Sequence, residues 1–169
     1  MALESLVRFR HFEWLSRAIS SVPGVVPTEY FPENDADWQA IIALGSAHLV
    51  LPILYHALKA KELWGKIPED VGMALEGFFE LNQSHNSNLR QQMLDVTATL
   101  NAQGITPVWL KGATCLLAED WDQSPRMMLD LDFWLPDPKT HTKALAALEA
   151  DGYVIPPEYE GISDTKSHH

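Results

Sequence analysis

Leu129-Asp130-Leu131-Asp132-Phe133-Trp134-Leu135 reads as a β-strand carrying two aspartates where strands are normally poor in them. Leu129, Leu131, Phe133 and Leu135 alternate onto one face, and Asp130, Asp132 and Trp134 onto the other. Two positions along a strand cover ~6.6 Å. Carboxylates at that spacing, pointing the same way, repel each other unless a cation joins them. They can reach around a pair of divalent ions ~3.5–4 Å apart. A solvated acidic strand face would give the same pattern, and the upstream sequence shifts the balance between the two.

Upstream lies Ile105-Thr106-Pro107-Val108-Trp109-Leu110-Lys111-Gly112-Ala113-Thr114. A short apolar run ends in Lys-Gly, and small residues then open a helix expected from Ala113 to Glu119. A strand that turns into a helix through glycine lets backbone N–H groups approach an anion, and Lys111 adds a point charge suited to phosphate. Nineteen positions separate Lys111 from Asp130. That is room for one helix and a connection, so the two strands can be neighbours with both features at one end. Arg126, just before the second strand, adds a further cation. Trp134 shares the aspartate face, where it either lines a nucleotide or acceptor pocket or packs under a helix.

The order of apolar strand, Leu110-Lys111-Gly112-Ala113, helix, Arg126 and then Asp130 and Asp132 resembles the uncharacterised nucleotidyltransferase family of bacteria, within the DNA polymerase β-like superfamily. The resemblance runs from about residue 36 to 169 and includes Trp38 to Leu58, Asn88 to Gly104 and Gly152-Tyr153. It implies an α+β fold: an N-terminal helical bundle, then a polymerase β-like core with a small mixed sheet. Asp130 and Asp132 are then the catalytic and metal-holding residues, with Mg²⁺ or Mn²⁺ as cofactor. Lys111, Gly112, Ala113 and Arg126 contact phosphate. The partners are a nucleoside triphosphate and an acceptor that the sequence does not name. A third carboxylate is expected on a later strand, beyond a His-rich stretch resembling Ser167-His168-His169, so the core is expected to be incomplete at its C-terminal end. Asp151, Glu158, Glu160 and Asp164 are its possible substitutes. The alternative is a non-catalytic binding or regulatory protein on the same fold.

The rest of the chain sets bounds. A net charge of -11, from 12 basic and 23 acidic residues, argues against an extended nucleic-acid surface. The one cysteine, Cys115, excludes an internal disulfide and a Cys-based zinc site and reads as a small buried hydrophobe. No signal peptide or membrane-spanning run is visible, and a cytoplasmic location is expected. The chain divides near residue 80 into a helical region, 1–80, and the core, 81–169. Helical spacing covers residues 1–20, and a second helix runs from Trp38 to Leu58, capped by Asp35 or Asp37 and kinked or broken at Pro52. Pro68-Glu69-Asp70 opens a long helix that runs to Gln103 or breaks near Ser84 to Ser87. The last helix is expected over Pro138 to Ala150, with Leu145 and Leu148 inward, and the polar tail from Pro156 is expected to be mobile or extended. His48 and His56 read as packing residues, and His11, His85 and His141 as isolated.

Overall fold

In a computed structural model, the structure describes residues 2–27, 30–120 and 124–157. Among the described residues, five α-helices and two short strands make an α+β fold with a helical N-terminal region: α1 (Ala2–Ile19), α2 (Asp35–Ala47), α3 (Leu51–Ala60), α4 (Glu69–Ala102), β1 (Val108–Trp109), β2 (Phe133–Trp134) and α5 (His141–Ala150). Short 3₁₀ segments lie at Trp64–Lys66, Lys111–Leu117 and Pro138–Thr140. The chain divides into two compact units: Met1–Asn88 with Cys115–Leu129, and Leu89–Thr114 with Asp130–His169.

In the first unit, the expected helix from Trp38 to Leu58 is two helices. Pro52 lacks the N–H a helix interior needs, and it sits in the first turn of α3, where that N–H has no partner to lose. Asn34, rather than Asp35 or Asp37, caps α2: its side chain accepts from the Asp37 amide at 3.0 Å. The two aspartates stand in the first turn, where negative charge suits the helix dipole. Gly45 lets α2 and α3 meet, since a Cβ there would lie 2.5 Å from Leu51 Cδ2. The core gathers Trp14, Leu15, Trp38, Ile41, Leu54, Leu58, Leu75 and Phe79. Within it the Trp14, Phe31 and Trp38 rings meet edge to face at 5.4–5.8 Å between centroids.

α4 runs unbroken for 34 residues, about 51 Å at 1.5 Å per residue. Its buried positions, Leu75, Phe79, Asn82, Asn86, Leu89, Met93, Val96 and Leu100, alternate spacings of four and three. That is the 3.5-residue repeat of a continuous helix seam. Two asparagines, Asn82 and Asn86, occupy the middle of this otherwise apolar stripe.

The second unit is built on the last turns of α4. Val96, Leu100, Ile105 and Ala144 form its core, with Trp109, Phe133, Leu135, Leu148 and Tyr153 around them. β1 and β2 pair antiparallel, Val108 opposite Trp134 and Trp109 opposite Phe133, and Leu110 N–H extends the ladder by donating to Asp132 O at 2.9 Å. The described residues contain no further strand with which this pair could form a mixed sheet. The strands are shorter than the sequence alternation suggests. Pro107 offers no N–H at one end. At the other, Lys111 takes a left-handed backbone (φ +50°) and turns the chain away, leaving Leu129 to Leu131 without a strand opposite. The helix expected from Ala113 to Glu119 is a 3₁₀ segment that begins at Lys111, closed by i to i−3 bonds such as Ala113 N–H to Leu110 O.

Glu158, Glu160, Asp164 and Ser167 to His169 lie outside the described residues, as does the tail beyond Pro157. No described helix is long and apolar enough to cross a membrane.

Candidate functional site

Register decides which side chains share a face, because residues directly opposite in a ladder point the same way. Trp109 and Phe133 point inward, their rings 5.2 Å apart, and Trp109 Nε1–H donates to Thr97 Oγ1 on α4 at 3.1 Å. Val108, Leu110, Asp132 and Trp134 therefore share the outer face. The expected segregation of Asp132 and Trp134 from Phe133 and Leu135 holds in the structure.

At the end of this face Lys111 Nζ meets Asp132 Oδ2 at 3.0 Å. The lysine side chain is 72% exposed and the aspartate 34%. The hydrogen bond and charge of Asp132 hold the Lys111 ammonium above its ordinary pKa, and Asp130 adds a weaker pull in the same direction. Lys111 and Asp132, distant in sequence, thus meet where β1 ends and β2 begins, with Asp130 two residues before Asp132. The positive φ of Lys111 is part of this, since it ends β1 at the point where the side chain reaches back to Asp132.

The neighbouring residues differ in what they offer. Thr114 Oγ1–H donates to Lys111 O at 2.7 Å and fixes the turn. Ala113 is buried and its amide is engaged with Leu110 O at 3.2 Å, so it anchors the turn. Asp151, considered above for a third acid, caps the end of α5 and accepts from Thr99 Oγ1 at 2.8 Å. Cys115 is a half-buried free thiol.

Arg126 belongs to the first unit. Its side chain is exposed, but its backbone is tightly held. Asn86 Nδ2 donates to Arg126 O at 3.1 Å; Asn82 Nδ2 donates to the same oxygen at 3.4 Å and to Ser124 O at 3.3 Å. His85 Nε2 bonds Met128 O at 2.8 Å. Asn82, His85 and Asn86 stand at i, i+3 and i+4 on one face of α4 and clamp Ser124 to Met128. His85, which the sequence leaves isolated, is therefore a structural tie. So is His11, which is buried and bonds Asp37 Oδ1 at 2.9 Å. The signal for the asparagines was present in the sequence: both fall on the 3.5-residue stripe of α4, where a polar residue has to find a partner.

A model of the family described as uncharacterised nucleotidyltransferase matches residues 34–169. The chain belongs to that family. The match takes in Lys111, Gly112, Arg126, Asp130 and Asp132 together. No curated protein and no solved structure matches the chain.

Two carboxylates are the donor type that a hard divalent cation would use. Mg²⁺ is typically bound through one or two carboxylates plus substrate phosphates, keeping several waters; Asp130 is exposed, and Asp132 is half-buried against Lys111. Among the described residues no group of three or more His, Cys, Asp or Glu side chains could hold a metal. Phosphate oxygens and water would have to complete the coordination.

Proposed function

We propose that this member of the uncharacterised nucleotidyltransferase family transfers a nucleoside monophosphate from a nucleoside triphosphate to an acceptor hydroxyl. The acceptor hydroxyl gives its proton to solvent as its oxygen forms a bond to the α-phosphorus, the bond to the bridging oxygen breaks, and its electron pair leaves with pyrophosphate. One observation carries this reading: a lysine and an aspartate from separate segments meet at one end of a strand pair, with a second aspartate two residues along, within the matched family region.

The ion pair suggests an order of events. Without nucleotide, Lys111 neutralises Asp132. A triphosphate offers the ammonium a stronger partner, and the long exposed lysine side chain can swing to it. Asp132 is then released as a free carboxylate beside Asp130. Lys111 and the Gly112 amide would hold the phosphate tail and balance the charge that develops on pyrophosphate. Mg²⁺, held by Asp130 and Asp132, would polarise the phosphoryl oxygens and lower the pKa of the attacking hydroxyl.

The second reading is a nucleotide-binding or regulatory protein on the same fold, and it draws on the two acids found where a two-metal mechanism normally uses more. The test is a thermal-shift panel of the four nucleoside triphosphates with Mg²⁺ or Mn²⁺, alongside release of pyrophosphate. A ligand that binds only the folded state raises the melting temperature by mass action. Metal-dependent stabilisation that disappears in the Asp130→Asn, Asp132→Asn double variant supports the site. Pyrophosphate release then separates transferase from binding protein. Equal stabilisation of parent and double variant would place the nucleotide elsewhere.

A further inference from the structure

The outer face of the β1–β2 pair is apolar except for its ionic end. Val108 is 40% exposed, Leu110 38% and Trp134 55%. Scattered exposed apolar residues are ordinary, and Leu129 and Val154 are of that kind. These three are not scattered. Val108 lies opposite Trp134 on one rung, and Leu110 stands opposite Asp132 on the next. Lys111 follows at once. One face therefore presents an indole beside one aliphatic side chain and, ~6.6 Å further along the strand, a second aliphatic side chain beside a carboxylate, with an ammonium next to it.

Packing within the second unit does not explain this face. The core of that unit is already served by Trp109, Phe133 and Leu135 on the opposite side. A polar residue at 134 would leave that core untouched, yet the position holds the largest side chain available. The ligand that suits such a face has a flat apolar part at one end and an anion at the other. The charge at the ionic end selects which anion: Lys111 calls for phosphate.

We propose that Trp134, flanked by Val108 and Leu110, is the platform on which the nucleobase stacks while Lys111 holds the phosphates of the same nucleotide. This rests on the nucleotide reading above. An aromatic platform needs no enclosed cavity, and it tolerates every base because every base has a π-face. The site therefore takes all four nucleoside triphosphates, with purines ahead of pyrimidines because their stacking area is larger.

The test is calorimetric binding of ATP and of inorganic tripolyphosphate, each with Mg²⁺, to the parent protein and to the Trp134→Ala and Trp134→Phe variants. Trp134 is outside the core, and the near-ultraviolet circular dichroism of each variant checks that packing is kept. Base stacking on an aromatic side chain corresponds to roughly a 5- to 150-fold change in affinity. ATP binding should weaken by that amount in Trp134→Ala and by much less in Trp134→Phe, while tripolyphosphate binding stays at the parent value. If Trp134→Ala binds ATP as the parent does, or loses ATP and tripolyphosphate equally, the stacking role is overturned and the phosphate site stands. If the parent binds neither ligand, the nucleotide reading falls, and the platform with it.

Discussion

Replacing Asn82 and Asn86 by alanine, singly and together, tests whether α4 clamps the segment that carries Arg126. Both residues are buried, at 2% and 1% exposure, and both send Nδ2 to the Arg126 carbonyl, at 3.4 and 3.1 Å. Each also has a buried Oδ1 that finds no partner among the described residues. A single substitution removes a hydrogen bond worth about 1 kcal/mol net and opens a small space, but it also relieves an unpaired oxygen, which offsets part of the loss. Either single variant should therefore lose only about 1 kcal/mol. In each, the Arg126 carbonyl keeps one amide donor. In the double variant it keeps neither, and stranding a buried acceptor costs a further ~1–3 kcal/mol. The coupling between the two sites should thus be ~1–3 kcal/mol, well outside the few tenths by which independent sites depart from additivity. Urea denaturation of the four-member cycle measures it. A parallel cycle with leucine, which fills the space but donates nothing, separates the carbonyl from any merging of cavities. Additive losses in both cycles would show that Arg126 O is not the shared partner and that the clamp is two unrelated contacts.

Lys111→Ala should move two affinities in opposite directions. Triphosphate binding should weaken more than monophosphate binding, and Mn²⁺ alone should bind more tightly because Asp132 has lost its internal cation; both are measurable by titration calorimetry, and parallel losses would refute the exchange. Asp37 gives a pH dependence. Burial pushes its carboxyl up, but hydrogen bonds from His11 and Tyr30 outweigh that and leave its pKa below the ordinary value. The stabilisation is therefore complete above the unfolded pKa and is lost as pH falls through the lower folded one. Asp37→Asn should be less stable than the parent at neutral pH, with the gap closing below about pH 4. Leu54→Ala, in the fully buried centre of the first unit, should cost about 2–5 kcal/mol in urea unfolding.

Much of this architecture was legible from hydrophobic spacing and punctuation. Pro52, Pro68 and Gly104 mark the helix boundaries, whereas the sequence leaves open a break near Ser84 to Ser87 that α4 does not have. Strand length was not legible. Alternation from Leu129 to Leu135 says which side chains share a face, but a strand exists only where another lies opposite. Pro107 and the turn at Lys111 limit the partner to a few residues. The meeting of Lys111 with Asp132 was open to sequence reasoning, because both lie at strand ends and carry opposite charge. The ties made by His11 and His85 were not, because each partner lies more than 20 positions away and one of them is a backbone carbonyl.

Six described residues adopt a left-handed backbone, and four of them end helices. Leu49, Glu62, Gly104 and Gly152 follow α2, α3, α4 and α5, each with the pair of reverse hydrogen bonds that closes such an end, as from Val50 N–H to Gly45 O and Leu49 N–H to Ser46 O. Gly24 lies in a turn. Lys111 is the sixth and belongs to neither group. A side chain with a Cβ is disfavoured in this region, and glycine or asparagine would rest there more easily. A library randomised at position 111 and selected only for endurance at high temperature should drift toward those two residues. The same library selected for work on a nucleotide should return to lysine. The difference between the two harvests would measure how much stability this family member forgoes at one residue to keep a cation at the end of a strand.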